Sequence, residues 1–169
     1  MKFLLFTIGF AGKTAEEFFR LLEEAQVEEL IDVRLNRGGQ LSGFAKYPDV
    51  AYFLEKVGRI GYSHEPRLAP TSAVLDAYRE TRDWAAYETG FLALMQKRGI
   101  PQALDANSWL PRAALLCSEP GPERCHPRLV ADRLAALWRT QGHEVEIRHL
   151  IAARSKSPRT RRAKPKSLP

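Results

Sequence analysis

Short apolar runs alternate with amphipathic segments along most of the chain. The first run, from Phe3 to Ile8, is rich in aromatic and β-branched residues and predicts a buried strand. The next segment, TAEEFFRLLEEA, carries apolar residues at helical spacing, and Thr14 and Glu17 have the spacing of a capping box. This opening therefore predicts a strand, a turn and a helix.

The same alternation continues to the last apolar run. Four more strands are predicted in Leu30 to Val33, IGYSH, ALLCS and EVEIRHLI, and three more helices in PDVAYFLEKVG, WAAYETGFLALMQKRG and LVADRLAALWRTQG. Residues 66–82 predict a loop and one helix. Strands that alternate with helices form βαβ units, so we expect an α/β fold, a three-layer sandwich with a mostly parallel central sheet of about five strands and helices on both faces.

The composition fits one domain of ordinary size. The chain has 169 residues, of which 44% are hydrophobic, and this is enough to bury one core. We assign residues 1–152 to a single α/β domain. No apolar run approaches the ~20 residues that span a bilayer, so no membrane partner is expected. Two cysteines cannot form a disulfide framework, which favours a cytoplasmic location.

The positive charge of the chain is concentrated after residue 152. Lysine and arginine number 26 and aspartate and glutamate 20, but residues 153–169 hold seven of the basic residues and no acidic one. The remaining 19 basic and 20 acidic residues give a net charge of −1. Because residues 153–169 lack apolar periodicity, we expect a disordered basic tail that either solubilises the protein or attracts nucleic acid.

Ligands of parallel sheets bind at the carboxyl ends of the strands, where the strand order reverses. Three predicted turns meet at this edge: Gly9 to Thr14, Arg34 to Lys46, and Cys117 to Pro127. The first turn contains GFAGKT, which lacks the spacing of a triphosphate-binding loop but offers a helix N-terminus to a single anion. Arg34 can either bind an anion or pair with a carboxylate such as Glu119. The candidate ligand-binding residues are Gly9, Arg34, Arg37, His64 and Arg128.

The segment CSEPGPERCHPR, residues 117–128, holds both cysteines. Pro127 is typical of a first helical position, so Cys125 and His126 are predicted at a helix N-terminus, where the helix dipole favours a thiolate. The candidate catalytic residues are therefore Cys125 as nucleophile and His126 and Glu119 in proton transfer. Three alternatives stay open: two buried structural thiols, a redox pair, or a zinc site formed by Cys117, Cys125 and His126, with or without His64.

Four motifs carry a resemblance to a known family. TIGF, LIDVR, GYSHEPRL and LLCSEPGPERCHPRLVAD occur in this order over about residues 5–150. Together they resemble the uncharacterised family called domain of unknown function 488. The resemblance implies an α/β domain with Arg34, His64, Cys117, Glu119, Cys125 and His126 at matching motif positions. It implies no activity, because none is assigned to the family.

We therefore expect an α/β domain that binds an anionic small molecule or a nucleotide-like ligand at the carboxyl ends of its strands, with Cys125 as a candidate for catalysis. Whether the protein is an enzyme is left open, as is its oligomeric state. No cofactor is predicted, and no residue is assigned as a metal ligand. The alternatives are a non-catalytic module that binds nucleic acid through the basic tail, and a structural zinc-binding domain.

Overall fold

The computed structural model describes residues 1–38 and 42–152, so the predicted basic tail lies outside the described residues. Within these ranges the strands are β1 (Lys2–Gly9), β2 (Glu29–Asp32), β3 (Gly61–His64), β4 (Arg112–Cys117) and β5 (Glu144–Leu150). They form one sheet in the order β3-β2-β4-β1-β5, and all neighbouring strands are parallel. The predicted parallel α/β fold is confirmed.

Helices occupy much of the chain between the strands. They are α1 (Ala15–Glu24), α2 (Asp49–Phe53), α3 (Ser72–Thr81), α4 (Trp84–Lys97) and α5 (His126–Thr140). Thr14 and Glu17 form the predicted capping box at the start of α1. The chain continues from α2 into a π-helical turn, Leu54–Gly58. In the described part of the chain, every helix is too short or too polar to cross a membrane.

The two faces of the sheet carry separate cores, because successive residues of a strand point to opposite sides. Phe3 and Leu5 of β1 pack in a core that includes side chains of α4 and α5. Leu4, Phe6 and Ile8 pack in a second core with α1 and α2. All five of these side chains are buried. The sheet therefore lies between two helical layers.

The chain reverses its direction across the sheet next to β4. From β1 it passes through α1 and α2 to β2 and β3 at one edge, and it then returns through α3, α4 and α5 to β4 and β5. As a result, β4 lies between β1 and β2, and the helices that follow β1 and β4 pack on opposite faces. Parallel sheets of this kind hold ligands at such a reversal point.

Helix α5 begins where Pro127 predicts a helix N-terminus, which is earlier than the apolar pattern of LVADRLAALWRTQG alone indicates. Its first residue is His126 and its N-cap is Cys125. Pro127 stands in the first turn, where a missing backbone N–H removes no hydrogen bond of the helix. The helix therefore starts close to the reversal point, and only a short loop separates it from the end of β4.

Candidate functional site

A crevice of about 380 Å³ opens at the carboxyl ends of β1, β2 and β4. Residues that follow these strands line one part of it, and side chains of α3 and α4 line another. The lining includes four arginines, one glutamate and four aromatic residues, namely Arg34, Arg79, Arg82, Arg124, Glu119, Phe10, Tyr78, Trp84 and Tyr87. Positive charge and aromatic surface therefore meet in one cavity.

Arg34 is held at the crevice by a carboxylate from its own strand end. Its Nε and Nη2 donate to the two carboxylate oxygens of Asp32 over 2.8 and 2.7 Å. Both side chains are buried. The partner of Arg34 is therefore Asp32, and the suggested pair with Glu119 is absent from the described residues. Nη1 has no hydrogen-bond partner within residues 1–38 and 42–152, so this nitrogen is available to a ligand.

A second set of contacts holds Asp32. Tyr62 donates its hydroxyl hydrogen to Asp32 over 2.9 Å, and Arg37 Nη1 donates to the Tyr62 hydroxyl over 3.5 Å. Burial raises the pKa of Tyr62 to about 12, so its proton stays in place at neutral pH. The Arg37 guanidinium lies over the Tyr47 ring, 4.3 Å from its centre. Arg37 therefore supports this network and does not line the crevice.

The two cysteines meet beside the crevice. Cys117 is the last residue of β4 and Cys125 is the N-cap of α5, and their sulfur atoms lie 2.6 Å apart. Both side chains are buried. The hydrogen bond with Cys117, burial and the charge of Cys117 raise the pKa of Cys125. The sequence predicts a thiolate at Cys125, but these contacts favour its protonated form, and its nucleophilic role stays a prediction.

His126 and Glu119 line the crevice together with Cys117. The His126 Nε2–H donates to the Val33 carbonyl over 3.0 Å. Burial lowers the pKa of His126 to about 4, so the ring is neutral near pH 7 and its Nδ1 can accept a hydrogen bond. Partial burial raises the pKa of Glu119, whereas the charge of Arg82 acts in the opposite direction. The cavity wall therefore offers a neutral imidazole and a carboxyl group.

Gly9 and His64, both predicted to bind a ligand, have structural contacts at the same edge of the sheet. A Cβ at Gly9 would overlap the carbonyl oxygen of Glu119, so only glycine lets the loop after β4 approach β1 this closely. His64 Nε2 donates to the backbone carbonyl of Arg34 over 3.3 Å. Neither residue lines the crevice. Their contacts shape the loops that do.

Arg128 also lies outside the crevice. Its Nε donates to the carbonyl of Pro122 over 3.1 Å, which ties α5 to the loop that precedes it. Its other guanidinium nitrogens lie 3.6 Å from carboxylate oxygens of Glu88 and Asp132. These contacts give Arg128 a role in holding α5 against α4.

The sequence does not single out the contribution of α3 and α4 to the site. Arg82 follows α3, Trp84 begins α4, and the Trp84 and Tyr87 rings stack with their centres 4.9 Å apart. The stripe that contains Trp84 and Tyr87 predicts core residues, and Tyr87 is indeed buried. Both side chains nevertheless also line the crevice. Helical spacing identifies a buried face but cannot show that the face borders a cavity.

Lys13 is a further buried cation near the cysteines. Its Nζ donates to the carbonyl of Pro120 over 3.2 Å, so the lysine of GFAGKT contacts the loop after β4. Burial lowers the pKa of Lys13, whereas negative charge on Cys117 or Cys125 acts in the opposite direction. Lys13 therefore places a positive charge near the two thiols.

The zinc alternative gains no support from the described ranges. Residues 1–38 and 42–152 contain no group of three or more histidine, cysteine, aspartate or glutamate side chains placed to hold a metal ion. The Nε2 atoms of His64 and His126 are each hydrogen-bonded to a backbone carbonyl. These two nitrogens therefore donate to the main chain in this structure instead of facing a shared metal position.

The fold and the crevice define the class of the protein as a parallel α/β domain with an arginine- and aromatic-lined cavity at the strand ends. The chain belongs to the family described as Domain of unknown function DUF488, whose model matches residues 14–134. This confirms the family predicted from the four motifs. No curated protein and no solved structure matches the chain.

Proposed function

We propose that the crevice binds a small anionic ligand that carries a flat ring, as a nucleotide does. The observation that supports this proposal is the composition of the cavity wall, which contains four arginines, one glutamate and four aromatic side chains. Arginine donates well to phosphate and carboxylate oxygens, and an aromatic face can stack on a base. A volume of about 380 Å³ suits a small molecule.

The arginines differ in how much of their charge a ligand can use. Arg34 shares its charge with Asp32 but keeps one guanidinium nitrogen for a ligand. Arg79 lies 2.8 Å from Asp76, which satisfies part of its charge. Arg82 and Arg124 have no salt-bridge partner among the described residues. These two side chains therefore supply most of the charge that attracts the anion.

The aromatic side chains of α3 and α4 would contact the flat ring of the ligand. Tyr78 packs edge-on against Trp84, with ring centres 5.9 Å apart, and Trp84 stacks on Tyr87. This arrangement fixes the ring orientations before a ligand arrives, so little side-chain entropy is lost on binding. Binding is the function that this geometry supports best, and a catalytic use of Cys125, His126 and Glu119 remains a prediction that requires a reactive thiol.

Isothermal titration calorimetry at low salt tests the proposal with three probes: a nucleoside monophosphate, the corresponding nucleoside and inorganic phosphate. We expect the monophosphate to bind more tightly than either part, because it engages both the arginines and the aromatic wall. The double variant Arg82→Gln, Arg124→Gln should weaken binding of the monophosphate by about tenfold or more, since each lost contact is a charge-assisted hydrogen bond.

Arg133→Gln is the matched control, because Arg133 is an exposed arginine of α5 that does not line the crevice. It should leave the affinity unchanged. The proposal is wrong if none of the three probes binds to the folded protein. It is also wrong if the double variant and the control bind the monophosphate equally well.

A further inference from the structure

Cys117 and Cys125 form a buried contact between two elements of the fold. One thiol ends β4 and the other caps α5, and their sulfur atoms are 2.6 Å apart. We propose that these residues are a peroxide-sensitive dithiol, in which Cys117 reacts first and Cys125 then closes an intramolecular disulfide. This inference does not depend on what the crevice binds.

The two cysteines are equally buried, each 2% exposed, but they differ in the cavities that they border. Cys117 lines the open crevice of about 380 Å³. Cys125 does not, and it borders only a small space of about 10 Å³ under the loop of Pro120 to Pro122, which Cys117 also borders. A hydroperoxide that enters the crevice therefore reaches Cys117 before Cys125. This order reverses the roles that the helix N-terminus predicts from sequence.

The surrounding charges favour the same order. The buried Lys13 ammonium interacts with both cysteines, and its attraction to Cys117 is the larger of the two interactions. Cys125 retains its proton, because its hydrogen bond with Cys117 and its burial raise its pKa. Negative charge is therefore disfavoured on Cys125, which leaves Cys117, the thiol at the crevice wall, as the sulfur that attacks first. The thiolate is the form of cysteine that attacks a peroxide.

The reaction balances with one hydroperoxide molecule. The Cys117 thiolate attacks a peroxide oxygen, the O–O bond breaks, and the leaving hydroxide takes up a proton to become water. Cys117 is then a sulfenic acid. The Cys125 sulfur attacks the Cys117 sulfur, an S–S bond forms, the S–O bond breaks, and the departing hydroxide takes the Cys125 proton. Two thiols have lost two hydrogen atoms, and the peroxide has been reduced to two waters.

The test treats the reduced full-length protein with a small excess of hydrogen peroxide, followed by alkylation and peptide mapping. We expect loss of both thiols and of the mass of two hydrogen atoms, in a monomeric product that dithiothreitol returns to the starting mass. In Cys125→Ser, dimedone should trap a sulfenic acid at Cys117. In Cys117→Ser, oxidation of Cys125 should be at least about tenfold slower, because it lacks the open approach.

A limiting-reagent measurement on the wild-type chain avoids any folding defect of the cysteine variants. A deficiency of a small alkylating reagent should label Cys117 in preference to Cys125. Equal labelling of the two thiols, or preference for Cys125, would overturn the assigned order. The dithiol itself is rejected if both thiols survive a peroxide treatment that oxidises free cysteine, or if the disulfide formed joins two chains. None of these outcomes bears on ligand binding in the crevice.

Discussion

Asp32 fixes the orientation of the Arg34 guanidinium through two side-chain hydrogen bonds. Asp32 is fully buried and accepts hydrogen bonds from the Arg34 side chain, the Arg34 backbone N–H and the Tyr62 hydroxyl. Removing one partner of a buried ion pair leaves the other charge uncompensated. Asp32 therefore acts as a positioning residue for the guanidinium that the crevice presents, and it also offsets part of the charge of Arg34.

His126 makes the folded protein sensitive to mild acid. Burial lowers its pKa to about 4, whereas an unfolded histidine titrates near pH 6.5. Between these values the unfolded chain binds more protons, so the free energy of unfolding decreases as pH falls through this window. The contribution is no more than about 3 kcal/mol, and less because the ring is only half-buried. Urea unfolding at about pH 7 and about pH 4.5 measures it.

Substitution of the histidines isolates this contribution from the titration of the carboxylates. His126→Gln retains an N–H that can donate to Val33 but cannot titrate, so it should lose less stability than the wild type between the two pH values. His143→Gln is the control, because His143 lies at the opposite end of β5 from the crevice. If His126→Gln and the wild type lose equal stability, burial does not hold the imidazole neutral.

At the scale of elements, the close approach of the loop after β4 to the end of β1 depends on Gly9. A methyl group at this position meets backbone, which cannot move aside as a side chain can. We expect Gly9→Ala to lower the free energy of unfolding by about 2 kcal/mol, a size typical of overpacking. Because the displaced loop carries Glu119 and follows Cys117, binding in the crevice should weaken as well.

Gly90→Ala is the matched substitution for this test. Gly90 lies inside α4, and a Cβ there meets open space. We expect it to raise the free energy of unfolding by about 0.5–1 kcal/mol, because alanine has the higher helix propensity. Thermal or urea unfolding of both variants measures whether the free energy of unfolding falls in Gly9→Ala and rises in Gly90→Ala. If Gly9→Ala leaves the free energy of unfolding unchanged, the loop moves aside without strain and the prediction is wrong.

The elements were predictable because their signals are local. The run of β1 and the capping box of α1 each occupy consecutive residues, so periodicity and cap chemistry find them directly. The crevice combines Arg34, Glu119 and Arg82 from three distant segments. Only Arg34 and Glu119 follow predicted strands, so the sequence gives no reason to place Arg82 at the site. The pairing of Arg34 with Asp32 could not be predicted from the sequence either. A strand pattern indicates which residues are buried but not how their polar groups pair.

At the scale of the molecule, basic residues are concentrated in two parts of the chain. One is the lining of the crevice, and the other is the segment 153–169, whose seven basic residues face no acidic residue in the same stretch. The rest of the chain has a net charge of −1. The proposed small-anion site and the predicted nucleic-acid contact therefore belong to different parts of the chain, and truncation tests them separately.

Removal of residues 153–169 leaves β5, the last described strand, intact. We expect the truncated chain to bind single-stranded nucleic acid more weakly than the full chain at low salt. The slope of log affinity against log salt should fall in magnitude by up to about 5, the value for release of counterions by seven charges. Fluorescence anisotropy with a labelled oligonucleotide measures both quantities.

A full-length chain with these basic residues replaced by glutamine controls for length and should behave like the truncated one. Equal affinity of all three chains would exclude the basic tail as a nucleic-acid contact, while titration of the monophosphate into the same proteins should give unchanged affinities because the arginines of the crevice remain.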